Sequence, residues 1–234
     1  MFQKSDTSDI HGHGTHCAGI IGGKRFGVAK DCTLISVKIM NDTGACAQSE
    51  LISALISIFL DVFSRRLGSF SQPFLGVVNL SLGSPRSIIV DIIVEEVLKI
   101  GLHVVTAACN HDNDAMYYSP AGVESVITVG ASTFTDSRAW FSNKGSTVDI
   151  YAPGVFITSA TYNPNHPNDT ELKSGTSSAC AHVSGLVAYL LGLGGYRSPE
   201  EMKKDIIELS IKDTLTDIPI GSNNRLANFA KLKA

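Results

Sequence analysis

The sequence has no run of basic residues, no patch in which basic and aromatic residues interleave, no internal repeat and no low-complexity segment. With 19 Lys plus Arg against 22 Asp plus Glu and a net charge of -3, it lacks the electrostatic footprint of a nucleic-acid surface, and no nucleic-acid partner is expected. The five cysteines, Cys17, Cys32, Cys46, Cys109 and Cys180, contain no CxxC and no Cys/His zinc spacing. Being odd in number they cannot all pair, so at least one thiol is free or intermolecular. No apolar run approaches the roughly 20 residues of a membrane span. The first residues, MFQKSDTSD, are polar and lack the apolar core of a signal peptide. Neither a membrane nor an export signal within these residues is expected.

What is present is the composition of a globular chain: 234 residues, 44% hydrophobic and 18% charged, enough to bury a sizeable core in one α/β domain. Short apolar runs alternate with longer periodic segments, the pattern of parallel strands joined by crossover helices. Thr33 to Met40 (TLISVKIM), Gly76 to Leu82 (GVVNLSL), Leu102 to Ala107 (LHVVTA) and Ser125 to Val129 (SVITV) read as buried strands. Ser49 to Phe63 and Ser87 to Ile100 have helical length and periodicity, and Gly101 stands where a left-handed cap ends the second. Ser64 to Pro73 and Tyr162 to Thr170 read as surface connections. Ala179, Val183, Leu186, Val187 and Leu190 recur at helical spacing from Thr176 to about Leu191, and the small residues among them imply close packing. Ser198 to Ser210 opens with a Ser-Pro-Glu-Glu capping run, and the tail to Ala234 reads as a surface wrap.

Three short constellations carry chemistry. In Asp9-Ile10-His11-Gly12-His13-Gly14-Thr15-His16-Cys17 glycines flank His13 where a helix is about to start. An imidazole exposed there suits proton shuttling. On these residues alone a His-rich loop or metal site, formed by His11, His13 and His16, is equally open. In Ser174-Gly175-Thr176-Ser177-Ser178-Ala179 a Gly-flanked serine stands at a helix amino terminus, where unpaired N–H groups and the helix dipole favour developing negative charge. A simple Ser/Thr N-cap is the alternative. In Ala107-Ala108-Cys109-Asn110 an Asn follows a buried strand at the carboxyl edge of the sheet, where its amide could donate to an oxyanion or merely serve a turn.

The order His, Asn, Ser and the flanking residues resemble the subtilisin family (peptidase family S8), most closely its proteinase K-like branch. GHGTHCAG matches the histidine motif, NLSLGS the substrate-wall strand and SGTSSACAHVSG the serine motif, and the resemblance runs from about Asp9 to the end of the chain. It implies a subtilisin-like three-layer α/β fold with a mainly parallel central sheet flanked by helices. It further implies a serine endopeptidase that hydrolyses peptide bonds through an acyl-enzyme. Ser177 maps to the nucleophile, His13 to the general base and then acid, and Asn110 to the side-chain oxyanion donor. Ser81, Leu82 and Gly83 map to a backbone edge that pairs with an extended substrate, and Gly83 with Ala108 to the lining of the primary specificity pocket. His11, His16 and His182 become structural.

No cofactor is implied for catalysis. The branch has a structural Ca2+ site whose carboxylate matches Asp149 and whose main-chain carbonyls match Glu124 and Val126; a lone Asp before a loop can equally be a solvated or capping residue. Peptides or proteins are the implied substrates, with a monomer and a secreted location expected from the family. Asn168-Asp169-Thr170 is a glycosylation acceptor if the chain is secreted. No disulfide of the family is matched.

The sequence departs from the family in three places. The family's catalytic Asp, in an Asp-Thr/Ser-Gly motif on the first core strand, lies farther upstream than the twelve residues preceding His13 allow. Asp6-Thr7-Ser8 imitates that motif, but Asp6 is a poor candidate, because the carboxylate belongs on a buried central strand. The expectation is therefore a single peptidase S8 catalytic domain over 1–234 that lacks its amino-terminal strand and catalytic Asp. Removing that Asp alone from a subtilisin is known to cost on the order of 10⁴ in kcat. Cys109 replaces the glycine before the oxyanion Asn, and Ala181 replaces the proline of the serine motif. Three readings follow: a serine endopeptidase by lineage, a catalytically impaired remnant that acts as a binding protein, and a peptide-bond-forming relative.

Overall fold

The computed structural model describes residues 8–68, 75–163, 165–166 and 168–230. Asp6, the imitation of the family Asp, lies outside the described residues. In chain order the elements are α1 (His13–Gly22), α2 (Gln48–Gly68), β1 (Val77–Leu80), β2 (Ser84–Pro85), α3 (Ile88–Lys99), β3 (His103–Ala107), β4 (Tyr118–Ser119), β5 (Ile127–Ser132), β6 (Ile150–Pro153), β7 (Ile157–Ala160), β8 (Thr170–Lys173), α4 (Thr176–Gly194), α5 (Pro199–Leu209), β9 (Ile211–Lys212) and β10 (Arg225–Leu226). Six strands form one sheet in the order β1-β3-β5-β6-β10-β9, parallel throughout except for the β10–β9 pair at its edge.

The two-residue period of β3 divides the core. Val104 faces a layer built from Leu51, Leu55 and Val62 of α2 and Val90, Val94 and Val97 of α3. Val105 and Ala107 face the other side, where Ala179, Val183, Leu186 and Val187 of α4 and Met202 and Ile206 of α5 pack. Helices thus cover both faces of the sheet, as a parallel sheet requires. α1 lies against α4, joined through Cys17, Ile20, Ile21 and Ala181. The small residues of α4 permit that approach: a Cβ on Gly185 would stand 3.1 Å from the Ile21 carbonyl oxygen of α1.

By length and apolarity α4 alone among the described helices could cross a membrane. Its packing explains why: a helix that meets a sheet on one side and α1 on the other is apolar nearly all round.

Two expectations are corrected. Thr33 to Met40 is not a strand; residues 33–39 run without pairing, with Leu34 and Ile35 exposed to 46% and 73%. A strand needs a hydrogen-bonded neighbour, and among the described residues the sheet stops at β1 without reaching this segment. The connection expected from Ser64 instead continues α2 as far as Gly68, and residues 69–74 lie outside the described residues. The other helices form where their periodicity places them. Gly101 adopts φ 84, and its N–H closes α3 on the Leu98 carbonyl at 2.8 Å. Ser198 caps α5 by accepting from the Glu201 N–H, while the Glu201 carboxylate accepts from the Ser198 N–H at 2.8 Å.

Ser198→Ala removes one half of that reciprocal cap and is expected to cost about 1 kcal/mol. In a domain of this size the midpoint should fall by roughly 2–4 °C in a thermal scan followed by circular dichroism.

Candidate active site

The site is assembled at the amino termini of α1 and α4, beside the carboxyl ends of β1 and β3. Gly12 precedes α1 at φ 75, a backbone that favours glycine, and so turns the chain into the helix directly before His13. Asp9 fixes this turn. Its Oδ1 accepts from the Gly12 N–H at 3.1 Å, and its Oδ2 accepts from the Thr15 N–H and hydroxyl, each at 2.7 Å. Burial pushes the Asp9 carboxyl up, but the bonds from Thr15 and Gly12 outweigh it and hold the group below its ordinary value.

His13 is half-buried. Burial first, then the neighbouring His11 and Lys173, hold its pKa below the usual 6.5, so the ring is neutral at pH 7 and able to accept a proton. Its Nε2 lies 3.9 Å from the Cys17 Sγ, which is also 3.9 Å from the Ser177 carbonyl oxygen. One buried thiol therefore spans the two motifs. Among the described residues no carboxylate hydrogen-bonds to the His13 ring. The three neighbouring histidines do not form one cluster: the His11 and His13 ring centroids lie 6.2 Å apart, but His16 is buried with its Nε2 3.0 Å from the Ile157 carbonyl, and the His11 ring packs over Gly44. No group of three or more His, Cys, Asp or Glu among the described residues could hold a metal ion. His182 is tied to the Ser178 carbonyl at 2.9 Å.

Ser177 sits in the first turn of α4. Its hydroxyl donates to the Ser81 carbonyl at 2.9 Å, and the Ser81 hydroxyl donates back to the Ser177 carbonyl at 2.9 Å. Beneath this pair lies Asn79, which the sequence did not single out. Its Nδ2 donates to the Ser81 Oγ at 3.0 Å, and its Oδ1 accepts from the Ser184 hydroxyl at 2.9 Å and the Cys180 thiol at 3.3 Å. Beyond Ser81, Leu82 packs into the α2/α3 layer.

Asn110 is oriented by Thr176, whose N–H and hydroxyl both donate to its Oδ1 at 2.9 Å. That leaves the Nδ2 donor pointing away from them. Asn110 Nδ2 and the Ser177 N lie 3.5 and 3.7 Å from the point where a Cβ on Gly175 would stand, so the two nitrogens sit on the same side of Gly175. The loop behind Asn110 is held by Asn143, a second residue the sequence did not reveal. Its Oδ1 accepts from the N–H groups of His111 and Asn113, and its own N–H donates to the Cys109 carbonyl at 2.9 Å.

Cys109 adopts φ 78, a conformation costly for a residue with a side chain, and its thiol presses on Gly83: a Cβ there would come within 2.4 Å of the sulfur. Ala108 is fully buried among Ala115, Ala121, Val148 and Tyr151.

The residues expected to ligate calcium do meet, but around an ammonium. Lys203 Nζ lies 2.8 Å from the Asp149 Oδ1 and donates to the Glu124 and Val126 carbonyls at 2.5 and 2.8 Å. Burial raises the Asp149 carboxyl, and Lys203 and the Thr128 N–H partly offset the rise. This arrangement does not fit a divalent metal, because a fixed positive charge already takes the central position.

All five cysteines are free. Burial pushes the thiols of Cys17 and Cys109 up to about 11 and raises that of Cys180 as well, whereas Cys32 and Cys46 are only half-buried. With Ellman's reagent at pH 8, Cys32 and Cys46 are expected to react first, and all five should react only in denaturant. Fast reaction at Cys17 would contradict its place beneath His13.

Comparison with known proteins places this geometry. The model of the subtilase family (peptidase S8) matches residues 2–225. The chain is 40% identical to Subtilisin-like protease 8 of Trichophyton verrucosum, across 96% of this chain and 48% of that protein. Identity to Subtilisin-like protease 3 of Saccharomyces cerevisiae is also 40%, across 94% and 48%. It is 38% identical to the subtilisin-like serine protease Pen ch 18 of Penicillium rubens, across 97% and 49%. The chain thus spans about half the length of the curated relatives it matches. Among solved structures, a cold adapted subtilisin-like serine proteinase superposes with a TM-score of 0.83 at 35% identity, covering 95% of this chain and 76% of that one.

Proposed function

As the chain belongs to the subtilase family (peptidase S8), we propose that it supplies the nucleophile, base and oxyanion donors of a serine endopeptidase acting on extended peptides. The observation that carries this reading is the nearness of the Ser177 N and Asn110 Nδ2, both within 3.7 Å of one point beside Gly175, at a serine in the first turn of a helix.

In the proposed reaction the Ser177 hydroxyl leaves the Ser81 carbonyl and gives its proton to His13 as Oγ bonds to the scissile carbonyl carbon. The carbonyl oxygen takes the negative charge and is held by the Ser177 N–H and Asn110 Nδ2. His13 then protonates the departing amine, the carbon–nitrogen bond breaks and an acyl-enzyme remains. Water, deprotonated by His13, releases the acid and restores Ser177. Residues 81–83, which continue β1 beyond its last strand residue, offer main-chain groups to an extended substrate.

A second reading, a peptide-binding protein that hydrolyses little, rests on one observation: among the described residues His13 has no carboxylate to orient it. A fluorophosphonate probe decides between the two. Labelling confined to Ser177 and lost in Ser177→Ala is expected of the hydrolase, and Asn110→Ala should slow it roughly 10²–10³-fold. A chain that is folded by circular dichroism yet unlabelled would overturn the hydrolase reading.

The labelling rate should also follow the neutral form of His13. Because burial lowers its pKa, the rate is expected to be flat near pH 7 and to fall only as pH drops through a value below 6.5.

Cys109, pressed against Gly83, narrows the pocket at this end of the cleft. Cys109→Gly is expected to shift preference toward bulky residues at the cleavage position by on the order of 10-fold. The ratio of inactivation rates by peptide phosphonates ending in Phe and in Ala measures it, and an unchanged ratio would separate Cys109 from the pocket.

A further inference from the structure

We infer that Lys203 is a built-in cation, an ammonium that holds the position a divalent metal ion would otherwise take and makes this part of the fold independent of calcium. The position has the acceptors of a cation site: the Asp149 carboxylate and the Glu124 and Val126 carbonyls, from the end of the turn before β5 and the residue before β6. None of these oxygens is on α5; the charge between them is. An ammonium carries three N–H donors. Here they meet three oxygens at 2.8, 2.5 and 2.8 Å, so its donor capacity is fully used.

The site is enclosed, with the Lys203 side chain 19% exposed and that of Asp149 9%. The other Asp149 oxygen, Oδ2, accepts from the Thr128 N–H at 2.8 Å, which locks the carboxylate onto β5. A calcium ion needs six to eight oxygen ligands at about 2.3–2.6 Å and would have to share this space with a positive charge. Lys203 must therefore leave before a metal can enter. α5 brings it there with Met202 and Ile206 buried on either side of it in sequence, so the ammonium pins a helix to the sheet as well as neutralising Asp149.

The test is thermal unfolding of the whole chain in EDTA and in millimolar CaCl2. Any calcium response of the wild type is expected to survive in Asp149→Asn; a response that this substitution abolishes would put a metal on the carboxylate beside Lys203 and overturn the assignment. Lys203→Met keeps the stem, removes the charge, and is expected to lower the EDTA midpoint by on the order of 10 °C. Calcium should restore part of that loss, and the gain should vanish in the Lys203→Met/Asp149→Asn pair. A Lys203→Met chain as stable as wild type in EDTA, or one that calcium does not help, would reduce the contact to an ordinary ion pair.

If Lys203→Met does not fold, lysine acylation of the wild type read by mass spectrometry decides. Lys203 is expected to react more slowly than the exposed Lys204, at a rate that calcium leaves unchanged. Faster modification of Lys203 in calcium would show the ammonium being displaced, and the inference fails.

Discussion

Everything in this molecule that resembles catalysis hangs on the burial of α4. A helix apolar on most of its surface must be covered on both sides, and this one lies between the sheet and α1. Once that packing is made, its amino terminus is fixed at the carboxyl edge of β1 and β3. The Thr176 N–H in its first turn, which the helix cannot satisfy, then donates to the Asn110 side chain arriving from the end of β3. The placement of the Ser177 N–H and Asn110, the donors proposed for an oxyanion, is thus a by-product of core packing. The hydrophobic energy of the core holds the helix end in place, and Asn143 holds the loop that carries Asn110.

The polar layer under Ser177 follows from the same packing. Where α4 crosses β1 it buries Ser184 and Cys180, both of which need partners, and Asn79 supplies one carbonyl for the two. The same Asn79 donates to Ser81, whose hydroxyl is tied to the Ser177 carbonyl. The Ser177 backbone is therefore braced from below by a chain of part-buried hydrogen bonds. Deleting one member would leave the others unsatisfied, a larger loss than any single bond contributes.

The parts legible in the sequence are those set by local chemistry. Glycine before His13, glycine before Thr176 and the small residues of α4 record constraints that act within a few positions, so the histidine and serine motifs, α3, α4 and α5 appear where their residues place them. Residues 33–39 show the opposite case. Their apolar content is that of a strand, but strand formation is a property of a pair, and no neighbour among the described residues accepts the ladder. Asn79 and Asn143 were silent for a related reason: such an Asn acquires its role from groups far along the chain, such as Ser184, which is 105 positions from Asn79. Lys203 likewise takes its role from a distant group, the Glu124 carbonyl 79 positions away.

That lysine marks the difference between recognising a set of ligands and knowing what they bind. Asp149, Glu124 and Val126 present oxygens to a common point, and the oxygens alone are indifferent to whether a metal or an ammonium neutralises them. The two solutions differ thermodynamically. A bound ion stabilises a fold by an amount that grows with its free concentration and disappears with a chelator. A tethered ammonium has no such dependence. Its cost is instead the ordering of one long side chain and the desolvation of a charge, which excellent geometry and a full set of acceptors offset. Three acceptors for three N–H groups is that geometry. The stability of the α5 corner thus becomes a fixed property of the sequence, where a metal would have made it a property of the surrounding solution.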